Sequence, residues 1–321
     1  MAHKTADMLN AEMPMSAANA HIPASIEVSP KHILEKDEYI GLFPAGTQTY
    51  VTDIGTHTHE QLAEVSKRLV DAGYKPVQHI AARRLSSEEE LESFIQRLTE
   101  VGGLDDVLVI AGEADRQMGP YSSAIEVMRT GIFDKFGIKG LGIAGHPEGN
   151  PSAPEGEVYN ILREKAEFQS ETDAAMRIVT QFGFDGEAFT NWAWHVKAMG
   201  IDLPIHLGVA GPAKITTLLK FAAMSGVGNS LNFLKKRAGA LTALATSHSP
   251  ESVVEPIEAF WQENSDGPLA QMHVFPFGGL KKSSEWLVER GSWDINISLY
   301  CLLNTSPSPR DQRGSRMPSS A

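Results

Sequence analysis

The amino-acid sequence predicts an α/β chain folded as a single (β/α)8 TIM barrel, on three observations. Short β-rich runs alternate with longer helical patterns between residues 25 and 290. Eight such runs occur, the number a closed parallel barrel requires. Several are apolar at nearly every position, as parallel strands covered on both faces should be. An open doubly wound sheet is the rival, but no strand is followed by the GxGxxG that marks its dinucleotide-binding form. The chain shows no internal repeat.

The strands are expected at 25–29, 49–53, 76–81, 107–111, 140–144, 177–182, 204–208 and 272–276. Helices are expected between them at 60–72, 87–101, 122–133, 155–175, 187–199 and 213–224, with another at 283–290 after the last strand. A helix of residues 252–261 elaborates the seventh connection. Thr58 with Gln61, and Ser86 with Glu89, have capping-box spacing. Gly73 and Gly200 follow helix ends, where a left-handed residue is wanted.

The 321 residues, 42% hydrophobic and 21% charged, suit one large globular barrel. No apolar run reaches the roughly 18 residues of a membrane span, and a net charge of −12 argues against a nucleic-acid partner. Cys301 is the sole cysteine, which excludes an intrachain disulfide and a multi-cysteine metal site. The expected address is therefore the reducing cytoplasm; the composition is compatible with a homo-oligomer. Residues 1–20 are Ala/Met-rich without the pattern of a signal peptide and read as a flexible arm. The barrel takes 21–299, and 300–321 form a separate tail. From Cys301 that tail, CLLNTSPSPRDQRGSRMPSSA, resembles the in-frame translation of a sequencing-library adapter.

In a parallel barrel the chemistry gathers at the carboxyl ends of the strands. Glu27 in IEVSP, His79 in VQHIA, Glu113 in VIAGEAD, His146 in IAGHPEGNP and Gln181 in VTQFGFD all fall there. A carboxylate in a short apolar strand meets desolvation, which favours its neutral, proton-donating form. An ion-paired carboxylate at the barrel rim is the plainer reading of Glu27, and both stay open on the residues alone. His57 and His59 in THTHE have HxH spacing but no evident third ligand, so they read as solvated loop histidines and no metal is expected. GVGNS at 226–230 reads as a turn. Trp192 and Trp194 read as helix packing.

The ordered set of motifs resembles the methylenetetrahydrofolate reductase family over about residues 21–290. IEVSP resembles the family's Phe-Glu-Phe-x-Pro strand, which implies that Glu27 is the catalytic acid. YVTD resembles Val-Thr-Tyr and implies Thr52 near the flavin phosphates; QHIA resembles Pro-His-Leu-Thr and implies a flavin contact for His79. AGEAD resembles Arg-Gly-Asp-x-Pro, putting Gly112 at the cofactor and Glu113 at the acidic position beside flavin and folate. AGHPEGNP is similar to Tyr-Pro-Glu-x-His-Pro, with His146 beside the flavin. LREK is similar to Leu-Lys-x-Lys, with Lys165 over the flavin phosphate or ribose. TQFGFD is close to Thr-Gln-Phe-Phe-Phe-Asp, with Gln181 on the pterin, and KFAAM resembles Lys-Phe-Ala-Asp-Met. The chain departs from the pattern at Glu113 for Asp, Ala111 for Arg, His146 for Tyr, and Ile215 for the Phe that packs on folate or nicotinamide.

The resemblance implies a hydride relay from NAD(P)H through FAD to methylenetetrahydrofolate, or the reverse. Within it Glu27 protonates the folate bridge, Glu113 stabilises the resulting cation, and Gln181 fixes the pterin. The other readings are a flavin-independent reductase of the same substrate, a metal-dependent barrel lyase, and a catalytically idle folate-binding partner of a methyltransferase.

Overall fold

The computed structural model describes residues 21–112, 117–150, 153, 156–224 and 247–294. The arm and the tail expected at the two ends, Glu113, and the GVGNS turn lie outside the described residues. Eight parallel strands close on themselves. They are β1 (Ala24–Val28), β2 (Gln48–Val51), β3 (Lys75–Ala81), β4 (Asp106–Ile110), β5 (Gly140–Gly145), β6 (Ala175–Gly183), β7 (Ile205–Ala210) and β8 (Leu269–Phe275). Neighbours follow chain order, and β8 returns to β1, pairing Ser25 with His273. The expected α/β barrel is thus the observed one.

Because side chains alternate across a strand, each strand feeds two cores. One face, including Ile26, Val28, Val109, Ile143 and Ile178, packs under the helices. The other fills the barrel with Tyr50, Val77, Leu108 and Val179, joined by Ile110. Below that apolar layer, towards the strand amino ends, lies a buried polar floor. Arg177 donates to Asp106 at 2.8 Å and to the Tyr50 hydroxyl at 2.9 Å. Gln48 donates to the same carboxylate at 3.2 Å, and Gln271 donates to Gln48 at 2.8 Å. His206 Nδ1 lies 3.3 Å from the Tyr50 hydroxyl and 2.9 Å from the Gln271 amide.

The helices among the described residues are α1 (Pro30–Glu35), α2 (His59–Asp71), α3 (Glu88–Glu100), α4 (Ala124–Met128), α5 (Ile132–Lys135), α6 (Val158–Glu167), α7 (Gly186–Ala198), α8 (Ile215–Met224), α9 (Glu251–Glu263) and α10 (Leu280–Glu289). The Thr58–Gln61 capping box opens α2, and Gly73 and Gly200 have positive φ past their helices. Three expectations shift. The helix expected at 122–133 is two short helices, because Gly131 takes φ +73 between them. The cap of α3 is Ser87, accepting from Glu90 N, while Ser86 binds the Glu90 carboxylate instead. The helix expected at 155–175 ends at Glu167, where side chains take over the backbone bonds. Gln169 pairs with Ala174 O and Met176 N, and Asp134 accepts from Thr172 Oγ1 and Asp173 N.

His59 is likewise no solvated loop histidine. It starts α2, and its ring stacks on Phe94 at 3.8 Å. Of the two tryptophans, Trp192 is buried, whereas Trp194 is 42% exposed and meets Phe260 edge-on.

Candidate active site

Alternation turns Ser25 and Glu27 of β1, His79 of β3, and His273 and Phe275 of β8 into the barrel. Glu27 Oε1 lies 3.8 Å from Nε2 of both His79 and His273. The carboxylate side chain is 17% exposed, the two imidazoles 10% and 1%. Neither Nε2 has a hydrogen-bond partner among the described residues. Buried polar atoms are normally satisfied, so two bare nitrogens converging on one carboxylate mark a functional cluster. Burial pushes His79 below its ordinary range, against a smaller opposing pull from Glu27. The imidazole is therefore neutral at pH 7.

A second pair forms beyond β5. Lys165 reaches back from α6 and donates to Ala144 O at 2.7 Å. Burial brings its ammonium down to about 8. His146 is brought down to about 4, chiefly by burial and then by Lys165. An imidazole near 4 when folded and near 6.5 when unfolded takes up a proton on unfolding at any pH between. Its contribution is harmless above 6.5 and destabilises the fold progressively as pH falls towards 4. Melting temperatures between pH 7.5 and 4.5 should therefore fall less steeply for His146→Gln than for the parent; equal slopes would show that His146 is not held neutral.

The remaining expected residues line the same end. Thr52 Oγ1 donates to Val28 O at 3.4 Å. Gly112 has φ +83, and a Cβ there would meet Ala81 Cβ at 3.1 Å, so its backbone passes close to β3. The β6–β7 register shifts between Val179 and Phe182, and within that irregularity Gln181 Oε1 accepts from Phe182 N. Ile215 is buried at the start of α8. The structure therefore brings Glu27 to His79, and His146 to Lys165.

Sequence reasoning missed His273, Ser25, Arg83 and Arg84. Arg83 donates to Gly112 O at 3.2 Å and Ser122 O at 3.0 Å, so a guanidinium reaches the β4 loop from the turn after β3 although position 111 is Ala. Arg84 pairs with Asp53 at 3.2 Å. The signal for His273 was period-two alternation in QMHVF, which puts it on the inward face with Gln271 and Phe275. Two surface clefts, of about 310 Å³ beside Trp286 and about 270 Å³ beside Trp194, contain none of these groups. The site follows from the converging polar atoms, not from cavity size.

A parallel eight-stranded barrel with a carboxylate and imidazoles gathered inside its strand carboxyl ends has the architecture of a barrel enzyme. The family model for methylenetetrahydrofolate reductase matches residues 47–237, and the chain belongs to that family. "Methylenetetrahydrofolate reductase 1" of Schizosaccharomyces pombe is 25% identical over 254 residues, covering 73% of this chain and 39% of the relative. "5,10-methylenetetrahydrofolate reductase" of Pectobacterium carotovorum is 25% identical over 171 residues, covering 53% and 54%. The chain thus spans about two-fifths of the first relative's length and about half of the second's. Among solved structures, the dihydropteroate synthase of Thermus thermophilus covers 84% of this chain and 93% of its own, with TM-score 0.43 and 11% identity.

Proposed function

We propose that the barrel interconverts methylenetetrahydrofolate and methyltetrahydrofolate, exchanging hydride with NAD(P)H through bound FAD. The observation that carries this reading is Glu27, held inside the strand ends between two buried imidazoles in a chain of this family. In the reducing direction the Glu27 carboxyl gives its proton to a nitrogen of the methylene bridge. That C–N bond breaks, its electron pair stays with the protonated nitrogen, and the remaining iminium carbon accepts hydride to become a methyl group. In the oxidising direction the Glu27 carboxylate takes the proton back.

Gln181 offers the pterin an amide donor and acceptor together. Ile215 forms the apolar wall against folate or nicotinamide. Glu113, next after Gly112, carries the negative charge that stabilises the cation.

The residues present fit a flavin. Lys165 is a buried amine with one carbonyl partner at 2.7 Å, and an ammonium has three donors, so a phosphate or ribityl oxygen suits the rest. Thr52, His79, Gly112 and His146 complete the holding set. A flavin, when bound, supplies the two-electron storage that links nicotinamide to folate.

Lys165 also makes the affinity pH-dependent. Its amine is protonated below about 8, and an anionic cofactor prefers that form. FAD should bind tightest below pH 8 and loosen as pH rises above it. Lys165→Met should weaken binding by about one to two decades and flatten this dependence. An unchanged pH profile in the variant would remove Lys165 from the site.

The whole reading is tested on the purified chain by its absorption spectrum and methyltetrahydrofolate oxidation, each with and without added FAD. The expected result is flavin binding, with activity that rises on FAD addition. Full activity in flavin-free protein would replace the relay with direct nicotinamide-to-folate transfer. Loss of both binding and activity would favour the idle folate-binding partner.

A further inference from the structure

We infer that Thr180 is a positioning residue: its hydroxyl pins a bulge in β6 that presents the Gln181 amide to the pterin. The inference rests on the reading of Gln181 as the pterin residue and adds what holds that amide in place. The β6–β7 ladder pairs Val179 with His206 and next Phe182 with Gly208, so Thr180 and Gln181 face Leu207 alone. One extra residue in a strand is a bulge, which breaks the local ladder and re-aims side chains. Phe182 shows the effect. Counting by twos from Arg177 and Val179 would turn Gln181 inward and Phe182 outward. Phe182 instead shares its row with Gly208 and inward-facing His273, and its ring lies 5.3 Å from Phe275.

A bulge leaves backbone groups that no ladder partner meets, and buried ones need substitutes. Thr180, 2% exposed, serves two of them with one hydroxyl. Gly208 N donates to Thr180 Oγ1 at 2.8 Å, and Thr180 Oγ1 donates to Gln181 O at 3.0 Å. Both directions are fixed, because an amide N–H only donates and a carbonyl only accepts. Phe182 N takes the Gln181 side chain itself, donating to Oε1 at 3.2 Å. The same rule puts Oε1, not Nε2, against Phe182. One Oε1 lone pair and both Nε2 hydrogens are then left for a ligand.

Gly208 is the other half of this latch. A Cβ there would stand 2.6 Å from both Thr180 O and Gln181 O, so the bulged backbone fits only against a residue with no side chain. The Thr180 methyl packs elsewhere: a Cβ on Gly145, its partner in β5, would come within 3.3 Å of it. Hydroxyl and methyl are thereby separable by substitution. Valine keeps the shape and drops the two bonds, whereas serine keeps the bonds and drops the methyl.

The test titrates the full chain with methyltetrahydrofolate by fluorescence, beside both half-reactions. Thr180→Val should weaken folate binding and raise its KM about tenfold, the effect of losing roughly one hydrogen bond. At saturating folate the half-reaction should keep close to the parent rate, and nicotinamide should reduce the flavin as before. Thr180→Ser should restore binding. In a Gln181→Ala background Thr180→Val should cost little more, because Thr180 acts through that amide. Should Thr180→Val not fold by circular dichroism, Thr180→Ala decides with the same readouts. Unmoved folate binding overturns the inference, as does a loss fully additive with Gln181→Ala or shared equally by flavin reduction. Failure of the functional reading is seen separately, as a parent protein that binds no methyltetrahydrofolate, and takes the inference with it.

Discussion

Glu27→Gln is expected to slow folate reduction about 100- to 10,000-fold, while nicotinamide still reduces the flavin at close to the parent rate. The amide keeps the volume and hydrogen-bonding reach of the acid but has no proton to give. Opening the methylene bridge needs that proton; hydride leaving a nicotinamide does not. The barrel should also keep its stability, since Glu27 contacts His79 and His273 at 3.8 Å without a hydrogen bond to either. Stopped-flow measurement of each half-reaction separates the two steps. Equal loss in both would show that Glu27 shapes the site rather than donating a proton.

How far this site was legible in the sequence depends on the distance over which each part is assembled. The strands announced themselves locally, as continuously apolar runs, and Glu27 and His79 stood out as polar residues inside them. Helix breaks were less visible: Gly131 interrupts one expected helix, and Gln169 ends another by bonding to residues several positions on. His273 was not visible as part of the site. Its meaning comes from pairing with Ser25, 248 positions away, which exists only once β8 returns to β1. The influence of Lys165 on His146 was hidden for the same reason, although both residues were legible singly. The guanidinium missing from position 111 was sought at that position, whereas Arg83 brings one to the same loop from the turn after β3.

The polar floor of the barrel was wholly illegible, and it carries the largest stability effect. Arg177→Met should destabilise the fold by about 3–5 kcal/mol, because it leaves the Asp106 carboxylate buried without its partner. In the native fold burial pushes the Asp106 carboxyl up and Arg177 pulls it back; the 2.8 Å contact between two largely buried side chains is that of an ion pair. Arg177 also supports the Tyr50 hydroxyl, so the same change strips a second buried group of its donor. For a barrel of this size the melting temperature should fall by roughly 6–10 °C. The double variant Asp106→Leu with Arg177→Met should recover a substantial part of the loss, since it removes both charges and leaves apolar side chains beneath Val77 and Leu108. Thermal melts of the parent, the single and the double variants decide it. A single variant as stable as the parent would show that the pair is dispensable to the floor. A double variant no better than the single would shift the loss from unpaired charge to packing around Tyr50.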